Sequence, residues 1–567
     1  MISLFFSPLA LRLNFEAFDF RIPDSLYMLS NSFWVFIILL QVLLASCLFL
    51  NFNKAKNLLP LASGAILIAF PISQLPVIMG WDSYVHAMSA LQLQLGAPIG
   101  GPLYLGYPST FILSNTLNEF TSIGIIFSGA ILAVLSRALV LCLLYLLART
   151  LIGMEKAFLA PTLFILGNFR FWEYTQYCPE ILGLAMYLLC IYLLIKKRTL
   201  RNKNMTLTIL FLVLSFVLAT THSFSSLILV ATLIGLPIVK ISNQLHSNLL
   251  LLSLSLLTMW LFWQIYIATS YLQINLAIVL DNVRQGIMWG SIGAYNIGPG
   301  TAHYNIFLSS YRIILHAIVL VLALGGLLFW RKKTETKFIL GVIIGCLFLT
   351  AMLVTLSTAE RDYLNRLMLF GYVPASLLAS LHFGNKMNVR SKARKFMRPF
   401  QFASKILPFV SIALILVSFF AANLWVYSIS VHVWEARAVE FVATNNIDRQ
   451  RVMTDDITAE IYRFFDTNPY TFSRYGYGTG LAIFNVGSFS RYTDTIEDIQ
   501  KKAENAKIFI RSYRQVVDWY YYAQGTPINE WNALDHNVLL DNHYGKVYDD
   551  GYVQVYWKFS PIQSNGG

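Results

Sequence analysis

Charge is scarce in this sequence. Of its 567 residues only 13% are Asp, Glu, Lys or Arg, while 56% are hydrophobic and the mean hydropathy is +0.59. Soluble domains carry about twice that share of charge, so an ordinary soluble protein is excluded. Cysteine is scarce as well. Cys47, Cys142, Cys178, Cys190 and Cys346 all precede residue 430 and share no metal-ligand spacing. That excludes a disulfide scaffold or a cysteine zinc site in the C-terminal part, and the five read as small core residues. Residues 430–567 also lack a Gly-rich phosphate loop, a metal-ligand cluster and a nucleophile elbow. A clean signal peptide is missing too. Residues 1–11 are apolar without a basic start, and Arg12, Glu16, Asp19, Arg21 and Asp24 follow.

Long apolar runs are what the chain has instead. About twelve candidate spans can be marked, near 33–50, 58–79, 121–148, 157–171, 179–195, 205–221, 223–239, 248–269, 312–330, 338–355, 363–382 and 406–428. The predicted fold is therefore mainly α: a polytopic membrane protein of about twelve transmembrane helices with a small extracytoplasmic α/β domain at its C-terminus. Its expected domains are an outer segment at 1–32, the membrane domain at 33–429 and the α/β domain at 430–567. In the last, "WEARAVEFVATNN", "ITAEIYRFF" and "TIEDIQKKAENA" read as helices, and "RVMTD" and "KIFIRSY" as strands. "KVYDDGYVQVYW" reads as a hairpin turning on Asp550-Gly551.

The net charge of +13 is unevenly spread. Residues 1–429 hold 29 basic and 12 acidic residues, and 430–567 hold 13 and 17. The surplus is thus no nucleic-acid footprint, and no nucleic-acid partner is expected. It sits in alternate loops of the membrane region. One set, from Lys54 to Lys405, holds 21 basic residues and 2 acidic ones, Glu155 and Glu335; the other set, with the N-terminal segment, holds the remaining 10 acidic residues. Basic loops face the cytoplasm, which puts both termini and the C-terminal domain outside.

That assignment gathers the lone polar groups at one level, the outer ends of helices. "GWDSYVHA" carries Asp82 and His86 four residues apart, on one face if Trp81–Leu95 is helical. It is followed by a Gly/Pro break and by "YPSTFILSNTLNEF", opened by Pro108, so two short helices are expected to lie on the membrane surface. "FRFWEYTQYCPE" brings Glu173, and Glu180 in the first turn of a helix opened by Pro179. Glu180 either complements the helix dipole or supplies a second carboxylate facing Asp82. His222 occupies a hairpin, "TTHSFSS", where a local hydrogen-bonding role competes with ligand binding. Residues 270–311 suit a mobile lid. "STAERDYLNR" places Arg361 and Arg366 beside Glu360 and Asp362, fit either for a phosphate or for internal pairing. Arg137, inside the third span, is expected to face the protein interior.

In this order the acidic "GWDSYVHA", the "YPS" helix, the span arginine, "QYCPE", "TTH", the last outer arginines and the outer C-terminal domain resemble the C-type glycosyltransferase superfamily. Poorly characterised archaeal membrane proteins of that kind are particularly similar. The resemblance covers roughly residues 58–382. It implies an inverting transfer of a sugar from a polyprenyl-phosphate donor to a glycan, lipid or protein acceptor at the outer face of the cell membrane. It implies Asp82 as general base or ligand of a divalent cation (Mg or Mn), with Glu180 as the second catalytic or metal-binding carboxylate. His86 would orient Asp82 or touch the phosphate, and Arg361 or Arg366 would hold it. Glu173, His222 and Arg137 complete the expected substrate-binding set. An Asp-x-Asp pair in the first outer loop and the "WWDYG" signature of oligosaccharyltransferases are both missing, which argues against that branch. Two other classes compete. A transporter or flippase of a lipid-linked glycan would need polar residues at mid-bilayer. A non-catalytic scaffold would merely display residues 430–567.

Overall fold

The computed structural model describes residues 79–100, 103–153, 157, 159–168, 177–199, 205–238, 243–273, 317–327, 339, 342–343, 361–382, 430–431, 433–446, 450–455, 458–459, 461–462, 486–489, 501, 506–512, 544–550 and 553–558. The first two expected spans, the last one, the 270–311 lid (beyond residue 273), Cys47, Cys346 and Glu173 lie outside these residues.

The chain is described from a two-residue strand, β1 (Met79–Gly80), which runs directly into α1 (Trp81–Gln94). A 3-10 turn, Leu103–Gly106, leads to α2 (Ser109–Thr121). Then come α3 (Ile125–Ile152), α4 (Leu159–Gly167), α5 (Pro179–Thr199), α6 (Met205–Thr221), α7 (Ser223–Ile238) and α8 (Asn243–Phe262). A π-helical turn, Trp263–Ile267, closes α8. Two further helices are α9 (Ala317–Leu327) and α10 (Arg361–His382). Their sequences explain them: α3 to α8 are Leu/Ile/Val-rich, with polar runs at the end of α5 (KKRT) and the start of α8 (NQLHSN), and the breaks fall at Gly153, Pro179 and His222. Three of the described helices contain segments long and apolar enough to cross a membrane: Ile125–Leu151, Pro179–Lys196 and Leu250–Ile267. The helix predicted over 157–171 is only nine residues long, about 13 Å, and does not span by itself.

One continuous core joins α3 to α8 with α9 and α10. Leu144, Leu147, Phe164, Leu184, Tyr187, Leu188, Ile228, Leu233 and Phe370 are all fully buried there. The expectation that α1 lies on a membrane surface is corrected. Ser83, Tyr84, His86, Ala87, Ser89 and Ala90 are buried, because small side chains let α2 and α3 approach from one side and the C-terminal domain from the other. Asn115 Nδ2 donates to Ala90 O at 2.8 Å and ties α2 to α1.

The C-terminal domain opens with β2 (Ser430–Val431) and α11 (Val433–Asn445). Its sheet contains β3 (Val452–Asp455), β4 (Val486–Phe489), β5 (Ile508–Ser512), β6 (Tyr544–Asp549) and β7 (Val553–Lys558) in the order β4-β3-β5-β7-β6. β3 pairs in parallel with β4 and β5, and β7 pairs antiparallel with β5 and β6. Most of each helix expected at 457–465 and 495–506 lies outside the described residues, and in the sheet two points differ from the expectation. β4 was not foreseen. The hairpin is closed by Asp550 and Val553: Asp550 N–H donates to Val553 O at 3.3 Å, and its Oδ1 accepts Val553 N–H at 2.7 Å. Asp550 therefore belongs to the closing pair and is not a central turn residue.

β2 does not join that sheet. It pairs antiparallel with β1, Met79 opposite Val431 and Gly80 opposite Ser430. The C-terminal domain is thus fastened to the chain one residue before α1 begins.

Candidate functional site

Three contacts assemble the end of the bundle that faces the C-terminal domain. Tyr177 N–H donates to Ser83 Oγ at 2.9 Å, so the first turn of α1 meets the residues that open α5. Glu180, in that opening turn, lies with Oε1 3.7 Å from His222 Nε2. His222 fills the single-residue break between α6 and α7. Beyond it, Ser109 and Thr220 share a hydrogen bond of 2.6 Å that brings α2 to the same place.

The Glu180–His222 pair is nearly buried on both sides. His222 Nδ1 lies 2.7 Å from Ser225 Oγ and accepts the Ser225 backbone N–H at 3.3 Å. An Nδ1 that accepts a backbone N–H leaves the imidazole proton on Nε2, the nitrogen facing Glu180. The approach depends on Gly183. A Cβ there would overlap Ser225 Oγ and sit 3.1 Å from His222 Cβ. Glu180 also lies in the first turn of α5, where the helix dipole favours a carboxylate. Its structural and functional readings are compatible.

Around Tyr177 a second polar cluster supports α1. The Tyr177 hydroxyl lies 2.6 Å from Ser114 Oγ, and Ser114 Oγ donates to Phe111 O at 3.0 Å. Burial holds the Tyr177 phenol above its usual pKa, with the Ser114 bond working the other way. His86 is enclosed by rings: Tyr104 at 4.6 Å, Phe111 at 5.9 Å and Tyr177 at 6.0 Å between centroids. These contacts make His86 a packed residue within the α1–α2 junction.

Arg137 is buried, as expected of a cation inside a span, and Cys178 is its electrostatic neighbour. Helix α3 has 28 residues, about 42 Å, against about 30 Å of hydrocarbon. Its first turns lie against the C-terminal domain through Ile126 and Ala130, and Arg137 stands beside Cys178, the residue before α5 begins. Arg361 and Arg366 lie in the first two turns of α10. Asn168, just past the end of α4, donates to Leu369 O at 2.9 Å, and Phe224 packs on Phe370. Leu369 and Phe370 of α10 are therefore beside Phe224, near the His222 end of the bundle. Asp82 is the second residue of α1; its side chain, like those of Arg361 and Arg366, lies outside the described residues.

Among the described residues no three His, Cys, Asp or Glu side chains gather as a metal set. Glu180 has a carboxylate to offer, but the free lone pair of His222 is taken by Ser225. The described residues do not by themselves form a cation site.

No family model matches the sequence, and no curated protein does. Solved structures do. ArnT from Cupriavidus metallidurans bound to undecaprenyl phosphate aligns with 89% of this chain and 98% of its own, at 10% identity and a TM-score of 0.50. The two chains share a fold. The Archaeoglobus fulgidus oligosaccharyltransferase in the apo form aligns over 89% of this chain and 75% of its own, at 10% identity and a TM-score of 0.46. The same enzyme in complex with Zn and sulfate aligns over 88% and 73%, at 12% identity and 0.44.

Within this fold some polar residues were not foreseen from the sequence. Gln264 Nε2 donates to Tyr107 Oη at 2.7 Å and to Ser223 Oγ at 3.3 Å, and Trp260 Nε1 donates to Ser223 Oγ at 3.2 Å. Trp263 Nε1 donates to Gly106 O at 2.8 Å. The π-helical turn makes this possible by rotating Trp263 and Gln264 together toward the 103–107 segment; π turns are frequent at functional sites. A buried Gln at the end of an apolar helix was the signal available.

Proposed function

We propose that this chain is a membrane glycosyltransferase that moves a sugar from a polyprenyl-phosphate donor to an acceptor on the face where the C-terminal domain sits. The observation that carries this reading is the buried Glu180–His222 pair at 3.7 Å, linked through Tyr177 and Ser83 to the first turn of the helix bearing Asp82. A charged rim exposed to water would not need such a tether; a positioned carboxylate does. The fold shared with ArnT, solved with undecaprenyl phosphate, supports a lipid-phosphate donor.

In this reading Asp82 takes the proton of the acceptor hydroxyl. The acceptor oxygen bonds to the anomeric carbon as the bond from that carbon to the phosphate oxygen breaks. The electron pair leaves with the polyprenyl phosphate, whose charge is met by Arg361, Arg366 and Arg137. His222 holds Glu180, the second carboxylate, toward the same centre, and Glu173 and His86 complete its surroundings. A divalent cation on Asp82 and Glu180 would neutralise the leaving phosphate when bound; the proton transfer is assigned to Asp82 without it. The basic loops support about twelve spans, with both termini and the 430–567 domain outside, in the cell envelope.

The test is transfer by the purified chain in lipid nanodiscs, with a panel of radiolabelled polyprenyl-phosphate sugars and mixed glycan, lipid and peptide acceptors. Asp82→Asn is expected to lower the rate about 10²- to 10⁴-fold while the thermal midpoint stays put. Unchanged transfer would refute Asp82 as the base. Transmembrane movement of an intact lipid-linked glycan, without glycosidic bond formation, would favour the flippase reading.

A further inference from the structure

We propose that the C-terminal domain is a structural part of the active centre: it sets the position of α1, and Tyr84 is the positioning residue through which it does so. Two independent contacts bracket Asp82. On its N-terminal side β1 pairs with β2, Met79 opposite Val431 and Gly80 opposite Ser430. On its C-terminal side Tyr84 leaves α1 and enters the hydrophobic core of the C-terminal domain. That core comprises Ala438, Val439 and Val442 of α11, Val452 and Met453 of β3, Ile508 and Ile510 of β5, and Val553 and Val555 of β7. Tyr84 is 6% exposed. Ala130 of α3 joins the same core, with Ile126 packed against it. The domain core thus continues into the helix that bears Asp82.

The polar side of the contact is also fixed. Glu435 in the first turn of α11 is fully buried and acts electrostatically on the Tyr84 phenol. Two attachments, two residues before and two after Asp82, leave α1 little freedom to rotate or slide while the domain stays docked. Neither attachment alone would do this. A two-residue ribbon is marginal by itself, and a single buried ring still permits pivoting. Together they make the docking of residues 430–567 a condition for where residue 82 points. This inference rests on the proposed function only in treating Asp82 as the reactive group; the coupling itself does not.

The experiment uses the full chain in lipid nanodiscs, with amide hydrogen exchange read by mass spectrometry and transfer kinetics read in parallel. Tyr84→Ala is expected to raise exchange over residues 81–90 tenfold or more, leaving peptides of α5 and α7 unchanged. In the Tyr84→Ala background, Met79→Cys with Val431→Cys, once oxidised, is expected to restore protection, since paired Cα atoms of an antiparallel ribbon lie within disulfide reach. Tyr84→Phe is expected to behave as wild type in exchange over 81–90. In the kinetic arm Tyr84→Ala lowers kcat tenfold or more at an unchanged donor KM, and the oxidised pair recovers it. Unchanged protection of α1 in Tyr84→Ala overturns the proposal. So does a uniform rise across the chain, or a failure of the oxidised pair to restore protection. If the wild type moves no sugar from any donor offered, the proposed function fails and the exchange arm still decides the coupling.

Discussion

Replacing Gly183 by Ala offers a test of how the Glu180–His222 pair is built. A methyl at this position of α5 overlaps Ser225 Oγ and comes within 3.1 Å of His222 Cβ. The helix itself gains about 1 kcal/mol from Gly→Ala. Against this, overpacking costs about 1–3 kcal/mol. If Ser225 rotates away instead, the 2.7 Å contact to His222 Nδ1 is lost, at about 1–1.5 kcal/mol. The single variant is therefore expected to be less stable by about 1 kcal/mol, and to lose the geometry that holds Glu180. Ser225→Ala alone removes the hydroxyl and costs about 1 kcal/mol. The double variant puts the new methyl where the Oγ was. Its stability should exceed the sum of the singles by about 1–2 kcal/mol. Equilibrium unfolding in mixed detergent micelles measures all four forms of the cycle. Additivity within about 0.5 kcal/mol would show that Gly183 and Ser225 do not share this space, and the account of the site would fall with it.

Other outcomes follow from the same contacts. His222→Gln keeps an N–H toward Glu180 and should retain most transfer, while His222→Leu should lose about tenfold or more, since it puts an apolar group against a nearly buried carboxylate; steady-state kinetics on a polyprenyl-phosphate sugar decides it. Tyr107→Phe strips the buried Gln264 of a partner and should destabilise by about 1–3 kcal/mol, whereas adding Gln264→Leu should recover part of the loss in the same unfolding assay. Burial pushes the Tyr544 phenol up to about 12. An unfolded Tyr ionises near 10. Between those values the folded chain binds more protons than the unfolded one, so stability falls as pH rises. Tyr544→Phe should flatten that alkaline slope in thermal unfolding, at a cost of about 1 kcal/mol near neutral pH for the lost bond to Ala506 O.

The signals that sequence carries well are those with long range along one element. Pro179 and Glu180 marked the start of α5, and His222 marked the α6–α7 break, because capping chemistry and helix breakers are local. The alternation of loop charge put Glu180, His222 and the start of α1 at one level, and they meet there. What was not legible depends on partners far away in sequence. Met79–Gly80 and Ser430–Val431 are too short to show a period of two, so their pairing left no trace. The strand Val486–Phe489 contains Gly487, which masks a strand signal. Helix α1 looked like a surface helix because Ser83, His86 and Ser89 read as polar; in the fold they pack against small and aromatic neighbours from three sides. A 28-residue apolar run does not announce that its first turns serve a soluble domain.

The pairing of β1 with β2 has a consequence for how the molecule is made. Its partners are separated by some 350 residues of chain, counted from Met79 to Val431. During synthesis α1 emerges long before the strand that fastens it, and every span described between them is inserted first. Closure of so long a loop is one of the last events in assembly, and it is the event that seats the turn bearing Asp82. A chain interrupted before Ser430 would carry its membrane helices and still leave that turn unseated. Protease sensitivity just after Gly80, followed in stalled nascent chains of increasing length, should persist until residues 430–431 are released and then disappear.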